Sequence, residues 1–320
     1  MGNSAVPVKD LSLNSFKRML LDPSVLKDPV DPRDFKLRFK SNVPLIEIDY
    51  GDRAGLFKLM PTAVPDLNEQ KRQVRFDLRK KMPRIEHQGQ MPWCTAYSLS
   101  ALIDYFVYME LVKHLDFSEE WLYEEARELA GLADSGRDGL HVHAGLKLLQ
   151  KRGCLPEREF SQLTHEPKKD DKKLQEILVN YKISAYAAVH PRSIDNVKQA
   201  ILTYGPLPIA TYVYENWRWV GRDGKIEMPQ PGERPIGAHA TLIVGWHDEL
   251  QAFLIRNSWG RDWGVRGYGW LPYEFFRRKC FSCWSAVDAK GTKDLYKKTC
   301  VEQWYENWPE WLKDMFGSPF

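Results

Sequence analysis

The sequence predicts an α+β fold of two lobes with a cleft between them. Helical periodicity dominates up to about residue 152, β-rich apolar runs take over from Ile183, and no internal repeat suggests a solenoid. A chain of 320 residues is long enough for one large domain or two medium ones with a sizeable core.

The elements follow in order. Residues 1–72 read as an extension, rich in charge and in Asp-Pro pairs (Asp22-Pro23, Asp28-Pro29, Asp31-Pro32), with a short strand candidate at Val43–Ile48. From Val74 the texture changes, and residues 73–287 form the expected main domain. Ala96, Leu99, Leu102, Ile103, Phe106, Val107 and Leu111 fall at helical spacing with broad apolar coverage, so Cys94 to about Lys113 is expected as a largely buried helix. Helices are also expected at Ser118–Ala130, with Ser118 as N-cap, and at His141–Arg152, closed by Gly153. Lys168–Lys173 reads as a solvated charged loop. Strands are expected at Ile183–Val189, Pro208–Val213, Ala240–Trp246, Phe253–Asn257 and Tyr268–Leu271. In the tail, residues 288–320, Tyr296, Cys300, Trp304 and Trp308 recur at four-residue steps, as in a helix packed on its own domain or docking a partner.

Composition removes several classes. Hydrophobic residues make up 43% and charged residues 28%, as in an ordinary globular chain, and twelve Trp suggest aromatic packing. A formal net charge of +3 is too small to argue for nucleic acid or a membrane surface. No apolar run of about 18 residues is present. The N-terminus has no apolar core of a secretory signal, and Val6 stands where a myristoylation motif needs Ser or Thr. Cysteines are few and odd in number, at positions 94, 154, 280, 283 and 300, which favours a reducing, cytoplasmic compartment over a disulfide framework.

Three blocks carry chemistry. Gln88-Gly-Gln-Met-Pro-Trp-Cys94 puts a thiol at the start of a helix, where the dipole favours thiolate. Gly237-Ala-His239-Ala heads a buried strand. Asn257-Ser-Trp-Gly is followed by Trp263-Gly and Gly267-Tyr-Gly. Together the blocks resemble the papain family of cysteine peptidases, which has a Gln-Gly turn before the nucleophile, a Gly-x-His-Ala strand and an Asn-Ser-Trp-Gly hairpin in this order. His239 and Asn257 follow Cys94 at about the family distance of roughly 130–150 residues, Asn257 somewhat beyond it. The likeness runs from about Val74 to Val287. Its texture is closest to bacterial members, through Arg75-Phe-Asp-Leu-Arg79, Gly153-Cys-Leu-Pro-Glu157 and the run from Gly267 to Tyr273.

The resemblance implies a papain-like fold, with Cys94 on a helical lobe and His239 and Asn257 on a β-rich lobe. Cys94 would be the nucleophile, paired as thiolate with an imidazolium at a pKa of about 3–4, and His239 the base and later acid. Asn257 would hold the imidazole, Trp259 would shield that bond, and Gln88 with the Cys94 N–H would form the oxyanion hole. Gly139 maps onto the family's substrate-binding glycine strand, and Trp93 is expected to narrow the leaving-group side of the cleft. Departures are Met91 in place of a disulfide cysteine, Pro92-Trp93 before the nucleophile and Thr95 after it. The implied reaction is hydrolysis of protein or peptide substrates through a thioester. Alternatives with the same site are amide transfer, isopeptide cleavage, or a pseudopeptidase that only binds peptides. No cofactor is implied.

Other residues have plainer readings. Cys280-x-x-Cys283 lacks the second close pair that a structural zinc site needs, and core thiols are expected there. His141 and His143, two residues apart on a helix, face away from each other. Lys71–Arg84 is basic and reads as a linker, with an exposed processing site after a prosegment as the functional alternative. The extension itself is expected to pack on the domain and cover the cleft.

Overall fold

The computed structural model describes residues 6–23, 27, 36–39, 46–48, 74–161 and 171–288. A short helix α1 (Leu13–Arg18) is followed by strands β1 (Lys36–Phe39), β2 (Ile46–Ile48) and β3 (Arg75–Asp77). The helical lobe holds α2 (Cys94–Leu111), α3 (Glu119–Leu129), α4 (Val142–Lys151) and the single turn α5 (Glu157–Phe160). The β lobe comprises α6 (Lys172–Leu178), β4 (Ile183–Val189), α7 (Ile194–Tyr204), β5 (Leu207–Val213), β6 (Gly237–His247), β7 (Ala252–Arg256), β8 (Tyr268–Pro272), α8 (Tyr273–Lys279) and β9 (Cys280–Asp288).

The nine described strands form one sheet in the order β2-β1-β4-β9-β5-β6-β7-β8, with β3 paired to β6. β6 is its centre: every residue from Gly237 to Trp246 is buried, and the strand pairs antiparallel with β5, with β7 and, at its far end, with β3. Such a strand holds His239 in a rigid frame. α2 is buried along most of its length, from Cys94 to Val107, and packs on β6. That contact brings its first residue to the sheet. α3 is capped by the Ser118 hydroxyl, which accepts the Trp121 N–H. No described helix is long and apolar enough to cross a membrane.

The elements expected in the main domain appear within a residue or two, except that β6 begins at Gly237, ahead of the expected Ala240. The sequence reading missed others. α6 begins inside the expected charged loop, where the Asp171 carboxylate caps the Lys173 and Leu174 N–H groups. α7, α8 and β9 were unread. Cys280 and Cys283 lie buried on β9, and Cys283 and Cys154 are free thiols. His141 is the N-cap of α4, while His143 stacks on Trp284 with ring centroids 5.2 Å apart. The tail and its aromatic stripe, Cys300 included, lie outside the described residues, as do most of the Asp-Pro pairs and the first part of the basic stretch.

Candidate active site

Cys94 is the first residue of α2, and its sulfur lies against the backbone of Ala240, the residue after His239. The Asn257 Oδ1 accepts the Ser258 backbone N–H at 2.8 Å, which identifies that atom as the oxygen. His239 Nε2 is 2.8 Å from the same oxygen and must therefore be the N–H that donates to it. In a neutral ring this leaves Nδ1 as the bare base, and Nδ1 is buried with no hydrogen-bond partner among the described residues. Trp259 covers the imidazole at 4.5 Å between centroids and is itself packed among Trp217 and Trp263.

Gln88 reaches the same nest from the loop before α2. Its Oε1 accepts the Ser258 hydroxyl at 2.6 Å and its backbone N–H donates to the Ser258 carbonyl at 2.8 Å. The amide is thereby turned so that Nε2 points inward, donating to the Met91 carbonyl at 2.9 Å and, at 3.4 Å, to the Met19 carbonyl. Ser258, to which the sequence reading gave no role, thus touches both Asn257 and Gln88.

Trp93 and Gly139 sit elsewhere. The Trp93 ring packs on Tyr123 at 5.8 Å, and the Tyr123 hydroxyl accepts the Gly139 N–H at 2.9 Å. The Gly139 carbonyl in turn accepts from Arg127 Nη1 at 2.8 Å. The Gly139 N–H is thus taken up internally, while its carbonyl keeps a second acceptor direction. Trp93, the residue just before Cys94, thus packs on the wall of the helical lobe.

The segment 6–21 lies over the nest. Leu21 exchanges both backbone hydrogen bonds with Ala238, at 2.9 and 2.8 Å, beside His239. Leu20 packs so closely on Gly237 that a Cβ there would meet the leucine Cβ at 2.6 Å. Phe16 sets its ring edge on Trp259 at 5.2 Å, and the Leu11 carbonyl accepts from Arg218 Nη2. As a result Cys94 and His239 are both 0% exposed. Burial pushes the Cys94 thiol up to about 11, against backbone groups at Ala240 and Thr95 that favour the thiolate. Burial also lowers His239 to about 4, opposed by its bond to Asn257. Burial in the covered site thus favours a neutral thiol and a neutral imidazole over the thiolate–imidazolium pair, because both groups have lost water.

Behind the Gln88 loop lies a second polar region. Glu86, Asp104, His114, Asp116 and Glu119 line a cavity of about 350 Å³ between that loop and α2 and α3. Burial, together with neighbouring Glu86, raises Glu119 to about 8, while the Ser100 hydroxyl donates to it at 2.6 Å. Asp104 is raised to about 6 by burial, despite its tight pairing with His114 Nδ1. Arg256 joins this region to the catalytic strand, donating to the Pro83 and Arg84 carbonyls at 3.0 and 2.6 Å. Among the described residues, no group of three or more His, Cys, Asp or Glu side chains is arranged to hold a metal ion.

A two-lobed fold with a thiol at the head of a buried helix, packed against the strand that carries an asparagine-bonded histidine, defines the class of papain-like cysteine peptidases. The family model described as papain family cysteine protease matches residues 73–284, and the chain belongs to that family. It is similar to an uncharacterized peptidase C1-like protein of Acanthamoeba polyphaga mimivirus, 27% identical over 221 residues that cover 62% of this chain and 69% of that protein. Cysteine proteinase 15A of Pisum sativum is 25% identical over 211 residues, 60% of this chain but 56%, under two thirds, of the pea protein. The crystal structure of xylellain, a cysteine protease from Xylella fastidiosa, covers 84% of this chain and 98% of its own at a TM-score of 0.61 and 26% identity.

Proposed function

We propose that the protein is a cysteine endopeptidase that cleaves peptide bonds through a thioester on Cys94. The observation that carries this reading is the bare His239 Nδ1, fixed by the Nε2–Asn257 bond and buried in one nest with Cys94 and the Gln88 amide. The Cys94 proton passes to Nδ1 as sulfur attacks the carbonyl carbon. The Gln88 Nε2–H and the Cys94 N–H take the oxyanion. The C–N bond breaks as Nδ1–H protonates the leaving amine, and water, deprotonated by Nδ1, then hydrolyses the thioester.

The segment 6–21 is read as an inhibitory cover, since it occupies the place a substrate needs and spends a Gln88 donor on its own Met19 carbonyl. The test is to incubate the pure chain with a peptide library and a thiol-directed peptidyl epoxide. Mass spectrometry then follows new N-termini and the labelled residue. Hydrolysis and Cys94 labelling that appear together as the N-terminal segment is lost, and both absent in Cys94→Ala, are the expected result. Full activity at the intact length of 320 residues would sink the cover reading. No label on Cys94 after the segment is gone would sink the peptidase reading.

A further inference from the structure

Arg218 is a buried cation that the catalytic reading does not use. It is 7% exposed, held between the Phe16 ring at 5.7 Å and the Trp219 ring at 4.8 Å. Nη2 donates to the Leu11 carbonyl and Nη1 meets Glu215 at 3.3 Å, while Nε is buried with no partner among the described residues. Two of its contacts, Phe16 and Leu11, belong to the cover. A backbone carbonyl is a neutral acceptor with a single oxygen, whereas a guanidinium edge matches two carboxylate oxygens at once.

The place of Arg218 in the cleft gives this meaning. His239 must hand its proton to the leaving amine, so the half of the substrate beyond the scissile bond passes the imidazole and the Trp259 ring stacked on it. Phe16, which sits under Arg218, is the residue whose edge touches Trp259. His87 adds a further donor at this end. Its Nδ1 accepts the Gly89 N–H at 2.9 Å, so in the neutral ring Nε2 carries the proton, and that proton faces the Val6 backbone, which belongs to the cover as well.

We propose that Arg218 is a specificity residue that binds a carboxylate in the leaving half of the substrate, at the place the cover fills with the Leu11 carbonyl. The carboxylate is either the free C-terminus of a peptide cut near its end or an acidic side chain. This rests on the peptidase and cover readings above.

The test uses the full chain carrying Leu21→Pro, which removes the N–H given to Ala238 and loosens the cover. Matched quenched peptides differ only beyond the scissile bond: free acid against amide, and Glu against Gln. The expected kcat/KM is at least tenfold higher for the carboxylate form in one of the two arms, and that arm names the source. The preference should fall to within twofold in Arg218→Gln and survive in part in Arg218→Lys. Equal cleavage of acidic and neutral peptides, or a preference that persists in Arg218→Gln, would overturn the proposal. Fluorescence anisotropy of leaving-half peptides on the Cys94→Ala, Leu21→Pro chain asks the same without turnover. Tenfold tighter binding of the carboxylate form supports the proposal, and equal or undetectable binding of both forms defeats it. Selective binding beside an absence of hydrolysis would leave this proposal standing and sink the peptidase reading.

Discussion

Two buried polar regions meet at the loop 86–88, and they are built in opposite ways. In the catalytic nest His239 Nδ1, Asn257 Nδ2 and Trp259 Nε1 are buried with no partner among the described residues. In the carboxyl cavity the acids are answered: Glu119 by Ser100, Asp104 by His114, Asp116 by Arg84. An unpaired buried polar group costs about 1–3 kcal/mol, so a structure keeps such groups only where something else fills them or uses them. On the reading proposed above, the nest is where a reacting group enters. The cavity groups are held among their own partners.

The largest expected effect falls on the nest side of that loop. Gln88→Ala removes the inward amide and should lower kcat by about 10²–10³, or ~2.7–4 kcal/mol, with KM little changed, as read by steady-state kinetics on one peptide. A loss confined to KM would mean that Gln88 only binds substrate. Next comes the cover. Phe16→Ala deletes a fully buried ring, a change worth about 3–5 kcal/mol in a packed core. It should speed alkylation of Cys94 by iodoacetamide at least tenfold and move its pH midpoint down from about 11. An unchanged rate and midpoint would show that the segment does not shield the thiol.

The carboxyl cavity is tested by pH. Glu119 has a folded pKa raised above its unfolded value of 4.5, to about 8, so its contribution is fully present below pH 4.5 and lost as pH rises through 8. Asp104, raised to about 6, acts in the same direction at lower pH. Thermal midpoints should therefore fall between pH 5 and 8, and Glu119→Gln should remove part of that fall, on the order of 2 kcal/mol. An equal fall in wild type and variant would place the pH response elsewhere. The smallest effect belongs to the loop that walls the cavity. Val112 closes α2 at φ 52°, a left-handed conformation that is costly for a β-branched side chain. Val112→Gly should stabilise by roughly 0.5–1 kcal/mol, about 1–4 °C in Tm by calorimetry. A lower Tm would mean that the exposed valine makes a contact that matters.

The difference between the regions also explains what the sequence could tell. Cys94, His239, Asn257 and Gln88 sit in short local motifs whose neighbours are set by the same turn or strand, so each could be read where it stands. The carboxyl cavity joins Glu86, Asp104 and Glu119 from three elements, and nothing local marks them as neighbours. Nothing in the residues around Arg218 marks it as buried. Its burial depends on Leu11 and Phe16, some two hundred residues earlier in the chain. α7 was legible and went unread: Ser193 caps it, and Ile194, Val197, Ala200, Ile201 and Tyr204 are its buried stripe. Gly139 shows another limit of the sequence. A glycine motif specifies backbone freedom, here φ 112°, but not which partner its N–H and carbonyl will choose.

The antiparallel exchange between Leu21 and Ala238 has a consequence in concentration. A segment tethered to its own target faces it at millimolar effective concentration, so each contact can be weak while free peptides still compete poorly. Cutting the chain anywhere between Leu21 and β1 would turn that closure into an ordinary two-body equilibrium. At the nanomolar levels of a typical assay the released piece would diffuse away and seldom return. A single hydrolytic event would then commit the molecule irreversibly, with dilution alone supplying the direction.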